Sequence, residues 1–199
     1  MKAVMSAIPP GILEQRKLTG ADRWDEMWEG VLHMPPMPTV GHQDFEGALE
    51  AYLRLHWAQA RGGKVYHNVN VASWGGWPNN YRIPDLVLLT EECEAINQGE
   101  YLEGPPDVVV EIESPGDETR EKMPFYAALG VAELWIIDRD TRTPELHVLS
   151  RGRYKQKSQG KDSWLRSEVT GLELRSAKGN RLGIRARGDE ATRQELPSA

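Results

Sequence analysis

The run Val108-Val109-Val110-Glu111-Ile112-Glu113 constrains this chain more than any other segment. Valine and isoleucine are β-branched, stiff at χ1, and favour an extended strand. A nearly continuous apolar run of this kind belongs to a strand covered on both faces, at the centre of a sheet. Glu111 stands inside it. A lone carboxylate there is costly to bury unless it is paired or metal-bound. Glu113 follows two residues later. Strand alternation puts both carboxylates on one face, roughly 7 Å apart along the strand. Ser114-Pro115-Gly116 stops the run.

The flanking segments supply the rest of a fold. From Gly41 to Arg61, Phe45, Leu49, Tyr52, Leu53, His56 and Trp57 recur at helical spacing, and Gly62-Gly63 ends the pattern. Lys64 to Trp74 reads as one strand and Tyr81 to Leu89 as another, joined by the turn Gly75 to Asn80. Residues 90–104 are acidic and irregular. A helix follows Gly116 and closes near Leu129-Gly130. Pro124 is awkward within it, so the helix begins near Lys122 or bends there. Glu133 to Asp138 and Glu145 to Leu149 are strands, and hairpins continue to about Arg187. Asp25 to Trp28 and Val31 to Met34 flank Glu29-Gly30 as a hairpin. The first 40 residues otherwise mix turn signals with short apolar pieces. The expected architecture is α+β: a mixed central sheet flanked by helices, with extra hairpins at both ends. It forms a single domain over residues 1–187, with its core over 24–174 and a frayed polar tail over 188–199.

A divalent cation needs hard oxygen ligands on rigid backbone, where it can polarise a phosphate and activate a water. Asp85 and Glu111 each fall on an expected strand. Two Pro-Asp dipeptides compete for the partner of Glu111. Asp107 lies on the same strand about 13 Å away, too far to share an ion comfortably. Asp85 comes from a separate strand that can pair alongside, and is preferred. Lys122 starts the next helix, from which its ammonium can point back at the carboxylates, orient or deprotonate a water and stabilise phosphate charge. Tyr126, at i+4, shares that helix face.

Charge bears on the partner. Residues 1–150 carry 12 Lys and Arg against 24 Asp and Glu, whereas residues 151–187 carry 11 against 3. The basic stretch suits a phosphate backbone, or simply the solvated edges of β-hairpins. The net charge of −6 argues against nonspecific DNA binding over the whole surface. Cys93 is the only cysteine, so no intrachain disulfide forms, and a cytoplasmic location is the default. No apolar run approaches the ~20 residues that span a bilayer, so no membrane partner is expected. Exposed apolar strands and seven tryptophans leave a homodimer open.

Several motifs, in order, resemble one family. They are Ile83-Pro84-Asp85-Leu86-Val87, Pro105-Pro106-Asp107 through Glu111-Ile112-Glu113-Ser114-Pro115, Lys122 with Tyr126, and Gly130-Val131 through Glu133, Trp135 and Asp138. This series is similar to the bacterial Uma-type restriction endonuclease family of the PD-(D/E)XK nuclease superfamily. The resemblance runs from about Trp24 to about Leu174. It implies a restriction-endonuclease-like fold, Mg²⁺ as the ion with Mn²⁺ as a substitute, Asp85 and Glu111 as ligands, and endonucleolytic hydrolysis of nucleic acid, DNA by preference. Glu26 and His42 match family positions near the site and, with Tyr126, support it. Glu113 departs from the pattern, standing where lysine is usual. It is a third acidic ligand, or Lys122 supplies the missing cation, and the two are compatible. The competing reading is a nuclease scaffold that binds or assembles without turnover.

Overall fold

Two breaks in extended segments decide how the sheets divide. A computed structural model describes residues 3–197. β1 (Ala3–Met5) precedes α1 (Ile12–Thr19), a helix in a stretch that reads only as turn signals mixed with short apolar pieces. None of the α1 residues is buried, so it carries no apolar stripe for a periodicity argument to find. The hairpin β2 (Glu26–Trp28) and β3 (Val31–Met34) forms as expected. α2 (Val40–Leu53) starts at Thr39, whose hydroxyl accepts from the His42 N–H. It continues through a π-helical turn over Arg54–Ala58 into α3 (Gln59–Arg61).

The segment from Lys64 is then two strands. β4 (Lys64–His67) and β5 (Asn70–Ala72) are parted at Asn68, which adopts φ 49°. Asparagine tolerates the left-handed region better than most residues. The next segment breaks in the same way around Pro84, into β6 (Tyr81–Arg82) and β7 (Leu86–Leu89). The breaks meet, because the Asn68 N–H donates to the Asp85 carbonyl at 3.0 Å. β8 (Ile96–Asn97) and β9 (Tyr101–Glu103) occupy the acidic stretch expected to be irregular. β10 (Val108–Glu113), α4 (Thr119–Leu129) and β11 (Glu133–Asp138) form a parallel crossover. β12 (Pro144–Ser150) and β13 (Arg153–Gln156) follow. β14 (Leu165–Arg166), β15 (Leu172–Ala177), β16 (Arg181–Ala186) and β17 (Gln194–Leu196) complete the chain.

The central sheet runs β13-β12-β11-β10-β7-β4, mixed as expected, with β10 next to its middle. A second sheet runs β1-β3-β2-β6-β5-β9-β8, and a third β14-β15-β16-β17. Strand alternation sorts β10 between two cores. Val108, Val110 and Ile112 pack with Phe45, Leu49 and Leu53 of α2, Trp135, and leucines of the third sheet. Val109 faces the other way, with Tyr126 of α4, Val87 and Leu134. Glu111 shares the parity of Val109 and so lies toward α4. The end of the chain is a correction to the frayed tail. β17 pairs with β16, and Leu196 is 2% exposed in the core. One large apolar residue, Leu196, in that dozen carries too little pattern to announce a strand.

α4 begins at Thr119, ahead of Lys122, and takes Pro124 into its interior. Proline there has no N–H to give the carbonyl one turn back and crowds it. Pro124 is exposed, so that Arg120 carbonyl can turn to water. Replacing Pro124 by alanine should therefore stabilise the protein by about 2 kcal/mol, read as a higher urea midpoint at unchanged slope.

Candidate metal centre and its cavity

Two helices bring polar side chains to the fork where β4 and β7 leave the central sheet. The β7–β10 ladder pairs Leu86 with Val110, and one step further it sets Asp85 against Glu111. Asp85 Oδ2 accepts from the Ile112 N–H at 2.6 Å, which pins the carboxylate to β10. Its Oδ1 lies 2.9 Å from His42 Nε2. His42 occupies the first turn of α2, and Glu46 stands one turn on, 3.8 Å from the same nitrogen. Gln43 Nε2 and Asn68 Nδ2 donate to the two Glu46 oxygens at 2.9 and 2.8 Å.

Ligand atoms of His42, Glu46 and Asp85 all lie within 4.8 Å of one another. Two carboxylates and one imidazole form a donor set that a divalent cation of the Mg²⁺ or Mn²⁺ class can use, Mn²⁺ more readily because it accepts nitrogen. The crowding shows in the protonation of the group. Burial, then the charge of Asp85, push Glu46 up to about 7. For His42, burial opposes the charged form, but the hydrogen bond and charge of Asp85, with Glu46, outweigh it, and the imidazole is raised. A proton on His42 thus compensates charge that an ion would otherwise neutralise.

Beside this group stands a second, drier one. Glu111 accepts from the Tyr126 hydroxyl at 2.6 Å and lies 3.2 Å from Lys122 Nζ. Lys122 also lies 2.9 Å from Glu26 and donates to the Ile83 carbonyl at 3.3 Å. Glu26 in turn accepts from the Ile83 N–H and Trp28 Nε1. Burial would discharge Lys122, yet Glu111 and Glu26 overcome it and hold the ammonium. Glu111 is raised, chiefly by burial, with Asp85 and Glu26 adding to it and Lys122 opposing.

Asp85, Glu111, Lys122, Glu26 and His42 line one cavity of about 380 Å³, and Tyr126 backs Glu111 from the core. Glu113 does not reach the cavity. It shares a face with Glu111, but Arg120 grips both its oxygens at 2.6 and 2.7 Å and bridges to Glu145. A guanidinium two residues before Lys122 provides a nearer cation for it than the cavity does. Asp107, set aside in favour of Asp85, accepts from the N–H and hydroxyl of Thr90. Glu46 was not foreseen. The i,i+4 spacing from His42 was the available signal, hidden because the same helix reads first as an apolar stripe. The basic stretch 151–187 contributes nothing to the cavity lining. Arg166 and Arg185 pair with Glu173, Arg181 with Glu195, and Arg187 and Lys157 with Glu168.

The mixed sheet with Asp85 and Glu111 at paired strands fits a restriction-endonuclease-like fold, with the lysine reaching the acids from α4. The structure is similar to a solved one described as a "putative nuclease belonging to DUF820" from Anabaena variabilis, with a TM-score of 0.58 and 15% identity over 73% of this chain and 82% of that one. That likeness concerns the fold. The family model Uma2, described as "Putative restriction endonuclease", matches residues 14–177, and the chain belongs to this family. No curated protein matches the chain.

Glu46 makes stability depend on pH. Below its ordinary value of 4.5 it is protonated in both folded and unfolded chains. Between 4.5 and about 7 only the unfolded chain ionises, so stability falls as pH rises, and above 7 the whole penalty persists. The shift corresponds to roughly 3 kcal/mol. Glu46→Gln should therefore raise metal-free stability at pH 8 more than at pH 5, in urea denaturation. Millimolar Mn²⁺ should stabilise the wild type at pH 8 and leave the variant unmoved.

Proposed function

We propose that this protein is a metal-dependent nuclease that hydrolyses phosphodiester bonds in nucleic acid, DNA by preference, with Mg²⁺ or Mn²⁺. The observation that carries this reading is the convergence of His42, Glu46 and Asp85 beside the buried Glu111–Lys122 pair, with His42, Asp85, Glu111 and Lys122 lining one cavity. His42, Glu46 and Asp85 would hold the ion, with Glu111 adjacent. A bound divalent cation polarises the phosphate and lowers the pKa of a water.

The protein's own groups divide the remaining work. His42 must give up its proton before Nε2 can ligate. Lys122, kept as an ammonium, acts as a charge donor toward a phosphate oxygen rather than as a base. Glu111, raised above the usual carboxylate range, suits a general base near neutral pH. The water oxygen bonds to phosphorus while its proton passes to Glu111. The bond from phosphorus to the leaving sugar oxygen breaks, and that oxygen takes a proton from solvent. Tyr126 and Glu26 hold Glu111 and Lys122 in register for this.

Incubation with linear and circular DNA and with RNA, in Mg²⁺ or Mn²⁺, tests the reading. Cleavage should stop with chelator and fall at least ~100-fold in Asp85→Asn and Glu46→Gln. Lys122→Met should lower kcat more than it raises KM. Activity that survives Glu111→Ala would overturn the assignment of Glu111. Metal binding without turnover on any of these substrates would favour a silent nuclease scaffold.

A further inference from the structure

The mouth of the cavity is unlike its floor. Glu111 is 3% exposed, whereas Met37, which lines the same cavity, is 70% exposed. The polar groups therefore lie deep and an apolar wall stands at the entrance. That wall is Trp24 and the loop Pro35-Pro36-Met37-Pro38, which lies between β3 and α2. Trp24 Nε1 contacts Met37 Sδ at 3.0 Å, which ties the indole to the loop. Residues 114–119 after β10 complete the lining; of its acids, Asp117 accepts from the Ser114 and Thr119 N–H groups and Glu118 lies 3.1 Å from His33 Nδ1.

This mouth is poorly made for a duplex. A duplex backbone is bound chiefly by rows of Lys and Arg that displace its counterions. Here the lining cations are Lys122, enclosed by Glu26 and Glu111, Arg139, bonded to Asp140, and His42, held by Asp85; beside the lining, Arg23 lies over the Trp24 ring at 5.2 Å from its centroid, a single cation rather than a row. The basic stretch 151–187 lines none of this cavity, and Lys157, Arg166, Arg181, Arg185 and Arg187 within it are held in ion pairs. An apolar entrance whose acids are already engaged and that offers no row of cations must draw its binding energy chiefly from something other than phosphate. A base can supply it, because every base offers a π-face to an aromatic or apolar wall whatever its sequence. Only an unpaired base has that face to give, since in a duplex it is already stacked and paired.

We propose that this cavity takes an unpaired strand, with one base against Trp24 and the Pro35–Pro38 wall and the adjoining phosphate at the carboxylate floor. The inference rests on the nuclease reading and names its substrate as single-stranded or locally opened nucleic acid. Bulk at the mouth then selects for strand flexibility rather than for base identity.

The test uses the full chain with Ca²⁺, to measure binding apart from cleavage. The probe is an oligothymidylate carrying one 2-aminopurine, free or annealed to its complement. Binding should quench the free strand's fluorescence, with affinity at least about tenfold above that for the duplex. Trp24→Ala should weaken single-strand binding about tenfold, Trp24→Phe should retain most of it, and Mn²⁺ affinity should be unchanged in both. Met37→Ala, on the exposed loop, repeats the test where folding is not at risk. Duplex binding as tight as single-strand binding, or strand affinity unmoved by both Trp24→Ala and Met37→Ala, would overturn the proposal. Quenching without cleavage of any substrate supports it and counts against the nuclease reading. Preferential cleavage of fully paired DNA does the reverse.

Discussion

The ion pair between Glu111 and Lys122 is the interaction on which the arrangement depends. Glu111 occupies a strand whose other positions fill two apolar cores, and it can stand there only because a cation meets it from α4. The same cation needs Glu26 as its second partner, which fixes the β2 hairpin against β10 and α4. Removing one member of such a group strands the others in low dielectric, which is more damaging than the pair is stabilising. Glu111, Lys122, Glu26 and Ile83 are therefore held by one network, and fold and site share their most costly residues.

Arg82 extends that coupling. It is buried between the rings of Trp28 and Phe125, 4.2 Å from each centroid, and donates to the Met27 carbonyl. A planar, delocalised guanidinium accepts such stacking where a lysine would not. It joins the second sheet to α4, the helix that carries Lys122 and Tyr126. The position of the ammonium is thereby set from both ends of the helix's first two turns.

Much of this was legible in the sequence, for reasons that differ by residue. The central strand announced itself because β-branched residues crowd it, and Glu111 because a charge interrupts them. Lys122 and Tyr126 followed from helical spacing. The mixed sheet and the hairpin at Glu29-Gly30 came from punctuation by glycine and proline. What stayed hidden was non-local or unpatterned. Asn68 turns one strand into two through a single left-handed residue, with no proline or glycine to mark it. α1 buries no side chain and so has no stripe. Glu113 matched Glu111 in strand parity, but parity says which face a side chain takes and not which partner wins it, and Arg120 does. Glu46 joins Asp85 only through the packing of α2 on the sheet, which no spacing within either element reports.

The paired breaks at Asn68 and Pro84 separate two responsibilities. Most of what handles charge, namely Asp85, Glu111 and the residues of α2 and α4, hangs on the central sheet, with Glu26 reaching in from β2. The apolar entrance hangs on the β2–β3 hairpin and the linker after it. The two are joined at the hydrogen-bonded fork between Asn68 and Asp85, and again where Lys122 meets Glu26 and where Glu118 meets His33. The loop 35–38 belongs to no strand or helix and so can be lengthened or reshaped without moving Asp85, Glu111 or Glu26, which leaves what enters the cavity and what happens at its floor free to diversify separately.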